Sequence, residues 1–288
     1  MSFTKTILGT AKFGMNYGTL NTTQVSPEEV RSILERASEV GINRIDTASS
    51  YGMAEKLIGA SDNSSNLIIS KITVDKFGRS NHANPVQTSV RNSLSNLKVD
   101  KLHAVLFHNT DDLFEKNGEK LYRSALSLRD EGLVNHIGCS VYSPEELQAV
   151  ISNFDFELFQ VPLNVLDRRF LDSGSIESLS RSGKEVHIRS VFLKGLLLRT
   201  SGQYPSWMSL HNECFTEWMS HLVEHQLNPV GACLDFVHSI EGVSGVVVGV
   251  SSLIQLNEIV SYGKNRSQAP VFSPSYVDPI FFDPRKWS

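Results

Sequence analysis

The sequence predicts an α/β fold, a closed parallel (β/α)8 or TIM barrel made by a single domain. Three observations carry that expectation. Short β-branched apolar runs alternate with amphipathic helical patterns along the chain, so each crossover returns the next strand in the same direction. The length of 288 residues suits such a barrel, which takes roughly 250. An open doubly wound sheet would advertise a G-x-G-x-x-G turn after its first strand, and Gly9-Thr10-Ala11-Lys12-Phe13-Gly14 lacks that spacing.

The first strand is expected at 7–11. A helix at 27–40 is well signalled, with Ser26 as N-cap, Pro27 at the first helical position and Glu29 completing a capping box. Val30, Ile33, Leu34 and Ala37 give it one apolar face, and Gly41 ends it. Next come a strand at 42–46, a short helix at 54–60 and a strand at 67–72. Asn84-Pro85 opens a helix running to 98, with Val90, Leu94 and Leu97 inward. Strand 103–108, helix 119–130 and strand 137–140 follow, and Ser143-Pro144-Glu145-Glu146 opens another capped helix. The remaining strands are 158–162, 186–192 and 246–250, with a final helix at 253–262. Residues 201–225 add an extra helix together with Trp207 and Trp218. Residues 265–288, rich in proline and aromatics, are expected to pack on the barrel as the tail of one domain spanning 1–288.

Composition narrows the function. Apolar residues make up 40% and charged residues 20%, with 27 basic against 31 acidic side chains and a net charge of −4. That balance excludes nucleic-acid binding by counterion release and polybasic membrane attachment. Apolar runs stay strand-sized, far below the ~18 residues of a membrane helix. Cys139, Cys214 and Cys233 have neither C-x-x-C spacing nor the even number of a disulfide framework. A reduced, cytoplasmic setting and a small-molecule partner are therefore expected; oligomeric state is not readable from the sequence.

Active sites of such barrels lie at the carboxyl ends of the strands. Asp46, Lys71 and His108 fall at three successive strand ends, and Tyr51 lies in the loop after the second. Singly, Asp46 could cap a helix and His108 could be a satisfied rim histidine. Jointly they form a constellation suited to proton transfer to a carbonyl. A neighbouring ammonium lowers a phenol's pKa, so Lys71 would prepare Tyr51 as the acid, Asp46 would hold Lys71, and His108 would orient the substrate oxygen. No metal is expected there, because Asp46 and His108 are too few ligands for zinc.

Ile45-Asp46-Thr47-Ala48-Ser49-Ser50-Tyr51-Gly52, Ile69-Ser70-Lys71 and Leu106-Phe107-His108 resemble the signature segments of the aldo-keto reductase family, in the same order and at similar intervals. Leu8-Gly9-Thr10-Ala11 and Asn16-Tyr17-Gly18 are similar to the first-strand region of its bacterial members. The resemblance implies reversible carbonyl reduction with NADP(H), with Asp46, Tyr51, Lys71 and His108 as the catalytic tetrad and Tyr51 as general acid. It also implies cofactor contacts from Thr10 and Asp46. Ser140 matches a carboxamide-binding serine, with Val141 in place of the family's Asn, and Gln160 matches the carboxamide-binding Gln. Arg189, followed by Ser190, stands where many members stack a Tyr on the nicotinamide.

The stretch from Val248 to Glu258 resembles the segment that binds the dinucleotide phosphates and adenine, a strand-to-helix turn suited to an anion. It places Gly249, Ser251, Gln255 and Glu258 at the cofactor. Gln255 and Gly249 replace charged residues that grip the 2′-phosphate, which implies a weakened preference for NADPH, with NADH as the alternative cofactor.

Asp167-Arg168-Arg169 reads as a surface ion-pair cluster, and Cys139 as a small buried thiol. His103, His136 and His187 lie near strand starts, the stability face of a barrel, and carry no catalytic expectation. Phe13, Trp207 and Trp218 suit either a substrate pocket or plain packing. The expected function is reduction of an aldehyde or ketone. Two alternatives are a dinucleotide-binding sensor, which has no need of Tyr51, and a lyase using Lys71, whose pairing with Asp46 keeps it protonated.

Overall fold

The computed structural model describes residues 3–16, 24–61, 65–74, 84–199, 208, 212–264, 270–283 and 287. Eight parallel strands run in chain order: β1 (Thr6–Gly9), β2 (Arg44–Asp46), β3 (Leu67–Ile72), β4 (Leu102–Phe107), β5 (Val134–Ser140), β6 (Leu158–Pro162), β7 (Glu185–Arg189) and β8 (Gly245–Gly249). β8 pairs back onto β1 and closes the barrel that the sequence predicts. The described helices are α1 (Ala11–Gly14), α2 (Pro27–Glu39), α3 (Ala54–Gly59), α4 (Pro85–Leu97), α5 (Asp111–Phe114), α6 (Gly118–Asp130), α7 (Pro144–Ile151), α8 (Arg169–Asp172), α9 (Ser175–Arg181), α10 (Glu213–Glu224), α11 (Pro229–Ser239) and α12 (Leu253–Lys264).

Side chains alternate along a strand, and that alternation builds two apolar layers. Ile7, Ile69, Ala104, Leu106 and Leu158 fill the lumen, while Leu8, Ile68, Val105, Phe159 and Val248 pack under the helices. Two residues beyond Ile69, Leu106 and Leu158 come Lys71, His108 and Gln160. The same inward face is thus apolar below and polar at its carboxyl end.

Helix starts follow the sequence signals. Ser26, Asn84 and Ser143 each accept a hydrogen bond from the backbone N–H three residues on. The reciprocal half of the expected capping box is absent at Ser26. The Glu29 carboxylate instead accepts from the Leu253 N–H at 2.6 Å, satisfying an open donor at the positive end of α12.

Several boundaries differ for local reasons. β1 stops at Gly9 because the Thr10 N–H turns to the Asp46 carbonyl, 3.0 Å away, and α1 begins. β7 stops at Arg189 because Ser190 adopts a left-handed backbone, φ 63°. β5 starts earlier than expected, at Val134, and α9 was not signalled by its pattern. On α4 it is Ser93, not Leu94, that is fully buried beside Val90 and Leu97.

Phe272 lies edge-on to Trp218 at 5.1 Å, and Phe281 packs on Phe215 at 5.0 Å. Asp167 is buried, not at the surface as expected, and accepts two hydrogen bonds from Arg169 at 2.8 and 2.9 Å. Arg169 also donates to the Phe282 carbonyl and Arg168 to that of Phe272, at 3.1 and 3.3 Å. The ion pair therefore holds the tail. The three cysteines are buried and unpaired. No described helix is long and apolar enough to cross a membrane. Tyr17, Gly18 and Trp207 lie outside the described residues.

Candidate active site

Asp46 closes β2, Lys71 lies near the end of β3, His108 follows β4, and Tyr51 occupies the loop between β2 and α3. Lys71 is 1% exposed, and a buried ammonium is tolerable only when paired. Its Nζ donates to Asp46 Oδ1 at 2.5 Å and to the Thr47 carbonyl at 3.0 Å. The second carboxylate oxygen accepts from Gln160 Nε2 at 2.8 Å. Thr10 Oγ1 donates to the Asp46 carbonyl at 2.9 Å. Asp46 is thereby fixed from β3, β6 and the start of α1. Burial draws Lys71 below the ordinary lysine range, and the Asp46 carboxylate opposes that pull.

Lys71 Nζ lies 5.3 Å from the centre of the Tyr51 ring, and the His108 ring stands edge-on to Tyr51 at 5.8 Å. Burial, and then the Asp46 carboxylate, push the Tyr51 phenol above the ordinary tyrosine range. The expected lowering by Lys71 is not found; burial and the Asp46 carboxylate dominate. The cation that draws Tyr51 downward is Arg189. His108 is held down to about 4, first by burial and then by Lys71, so its imidazole is neutral at neutral pH. Its Nδ1 lies 3.3 Å from Ser50 Oγ.

Two glycines seat the Tyr51 loop, and the sequence reading passed over them. A Cβ on Gly14 would lie 1.6 Å from the Tyr51 carbonyl oxygen. A Cβ on Gly52, whose φ is +55°, would lie 2.3 Å from the Gly14 carbonyl oxygen. α1 and the loop thus meet backbone to backbone. The signal available in the sequence was the Gly directly after Tyr51.

Arg189 gathers a second group. Its guanidinium donates to Ser140 Oγ at 3.2 Å, the Val141 carbonyl at 3.1 Å and Ser190 Oγ at 3.3 Å. It lies 4.0 Å from the ring centre of Tyr142, another residue the sequence reading missed. Gly249, Gly9 and Asp46 form one register row across β8, β1 and β2, which brings Gly249 to the level of the Asp46–Lys71 pair. A Cβ on Gly249 would find its nearest neighbour 3.9 Å away, so the mouth is open there.

The turn after β8 is closed on itself. Ser251 donates through its N–H and hydroxyl to Gln255 Oε1, at 2.8 and 3.1 Å, and the Gln255 N–H donates to Ser252 Oγ at 3.2 Å. Glu258 is exposed on α12. The fold also brings in a cation that spacing did not suggest: Arg36 of α2 donates to Asn257 Oδ1 at 2.9 Å.

A closed parallel barrel with its polar groups gathered at the carboxyl ends of the strands belongs with the (β/α)8 enzymes. More narrowly, the chain belongs to the aldo/keto reductase family, oxidoreductases of carbonyl compounds, whose model matches residues 5–272. The resemblance read from the sequence holds. Methylglyoxal reductase DkgA of Escherichia coli K12 is 30% identical over 132 residues, 44% of this chain and 46% of that protein. The chain thus spans about half the length of the first curated relatives it matches. The Bacillus subtilis oxidoreductase YqkF is 22% identical over 82% of both chains. An aldo-keto reductase of Bacillus halodurans, solved in its holo form, matches in fold with a TM-score of 0.74 at 19% identity, covering 97% of this chain and 95% of that one.

Proposed function

We propose that the protein is an NADP(H)-dependent carbonyl reductase in which Tyr51 delivers the proton to the substrate oxygen. The observation that carries the reading is the buried Lys71–Asp46 pair below Tyr51, with a neutral His108 beside the phenol. Lys71 fixes Asp46 beneath the phenol, and Arg189 is the cation that draws the phenol's pKa downward. Tyr51 stays protonated at neutral pH because burial and Asp46 hold its pKa up, so it is charged with a proton when substrate arrives. His108 Nδ1 lies 3.3 Å from Ser50 Oγ, and the tautomer in which Nδ1 accepts from that hydroxyl has its proton on Nε2, a donor suited to orienting a carbonyl oxygen. The apolar lumen below excludes water from the pair.

The residues present fit a nicotinamide at one end. Gln160, Ser140 and Arg189 supply amide, hydroxyl and planar cation at the strand ends, and Gly249 leaves the mouth open beside them. The chemistry that group supplies when bound is hydride transfer to the carbonyl carbon. At the far end Gln255 is used as a cap, Glu29 places a carboxylate at the start of α12, and Arg36, which reaches Asn257 of α12, is itself paired with Glu39 at 2.9 Å, so no uncommitted cation among these residues grips a 2′-phosphate. This arrangement supports NADPH binding with only a modest advantage over NADH.

The likeness to a methylglyoxal reductase makes small aldehydes and ketones the first substrates to test. The test follows NADPH oxidation across such a panel, with binding read by tryptophan fluorescence quenching. Turnover of at least one carbonyl is expected. Tight NADPH binding with no turnover on any would overturn the reading in favour of a sensor.

A further inference from the structure

The barrel's amino-terminal end carries a polar cluster that carbonyl reduction does not use. His103 is on β4, His136 on β5, and Glu185 opens β7, the strand beyond β6. We infer that His103, His136 and Glu185 form a binding site for a first-row divalent cation, with zinc the best match. Metal-binding atoms of the three all lie within 4.8 Å of one another. The two imidazoles stand 5.1 Å apart, centre to centre, and His136 Nε2 is 4.0 Å from Glu185 Oε1. Tetrahedral coordination at ~2.1 Å sets ligand atoms about 3.4 Å apart, a closure that small side-chain rotations achieve.

Two further observations point to a ligand. His103 Nε2 is buried with no hydrogen-bond partner, as are Arg44 Nε and His187 Nδ1 of the same cluster, an unsatisfied position that asks for a ligand. Glu185 is also held in place from behind: its Oε2 accepts from Arg44 Nη2 at 3.2 Å and lies 3.2 Å from His187 Nε2, which leaves Oε1 facing His136. Fixing a ligating carboxylate through its other oxygen is how outer partners organise metal sites. A ligating imidazole binds through its lone pair and a carboxylate through its anionic oxygen, the donor types these three side chains offer.

Two nitrogens and one oxygen, on side chains of intermediate burial, leave a fourth position for water. Magnesium and calcium prefer all-oxygen sets. The Arg44 guanidinium opposes any cation here, so micromolar affinity is expected. A bound ion would tie β4 and β5 to β7 across β6, a clamp at the stability end of the barrel and remote from Tyr51.

The test uses the full chain, stripped with chelator and titrated with zinc by calorimetry, with cobalt as the absorbing probe. About one zinc should bind with a Kd on the order of 10 μM, cobalt should give visible d–d bands, and magnesium should not compete. Zinc at a hundredfold excess over Kd should raise Tm by about 5 °C. His103→Ala and His136→Ala should each weaken zinc at least tenfold, and His136→Gln, the milder change, carries the test if His103→Ala fails to fold. His221 on α10 and His225 at its C-cap, with rings 4.7 Å apart, are the rival site. The inference is overturned if zinc does not bind at 200 μM, or if His225→Ala abolishes binding while His136→Gln leaves it intact.

Discussion

At the residue scale the site is governed by where charge is cancelled. Lys71 and Asp46 pair at 2.5 Å, and of the two it is the Asp46 carboxylate whose charge reaches the Tyr51 phenol and raises it. Removing one partner would strand the other in the lumen, a loss typically worth about 3–5 kcal/mol. Arg189 is different. Its partners are two hydroxyls, a carbonyl and the Tyr142 ring, so its positive charge is not cancelled by a carboxylate in that set and reaches both Tyr51 and His108. Alcohol oxidation requires Tyr51 to accept a proton, and therefore to have lost its own. Arg189→Met should move the pH dependence of alcohol oxidation upward by roughly one unit, and Arg189→Lys, which keeps the charge but loses the stack, should recover part of that shift. Identical pH profiles for wild type and Arg189→Met would reject this role.

At the element scale, cofactor choice rests on how α2 meets α12. Glu29 accepts from the Leu253 N–H, so a carboxylate sits at the dipole-positive helix start that would otherwise attract phosphate. Glu29→Gln keeps an acceptor and removes the charge. It should tighten dinucleotide binding by up to about fivefold, more for NADPH than for NADH, since such charges are worth about 0.3–1 kcal/mol. In the unaltered protein the two Kd values should differ by less than about a thousandfold. Fluorescence titration measures both, and looser NADPH binding in Glu29→Gln would count against the arrangement. This contact was not legible in the sequence. The Ser26–Glu29 spacing reads as a local capping box, and only the closure of the barrel brings Leu253 near. The same limit applies to Gly14, whose importance appears once Tyr51's carbonyl is seen resting on it. What was legible is what is local: the caps at Ser26, Asn84 and Ser143, and the residues at the strand ends.

At the scale of the whole molecule, the strand-helix alternation sufficed for the barrel because each unit must bury one apolar face, and closure satisfies all eight together. The interior charge balance was not legible, since it depends on depth. His103 and His108 titrate at about 4 in the folded chain against an ordinary 6.5, and burial lowers His187 as well. The unfolded chain therefore binds more protons between these values, and stability falls as pH drops from about 6.5 toward 4. Glu185, held at about 2, loses its contribution only in stronger acid. Each histidine adds at most about 1.4 kcal/mol per pH unit to the slope, less for half-exposed His103. The urea midpoint should be clearly lower at pH 5 than at pH 7, and His108→Gln should flatten the difference. Equal midpoints would contradict this charge balance.

The central claim is that Tyr51 hands over the proton, and removal of one oxygen atom tests it. Tyr51→Phe keeps the ring against His108 and above Lys71, so folding and NADPH affinity should change little. General-acid catalysis contributes about 10²–10⁴-fold, and carbonyl reduction at saturating NADPH should fall by that factor. A Tyr51→Phe protein that binds NADPH normally and reduces its carbonyl substrate at the undiminished rate would contradict the account.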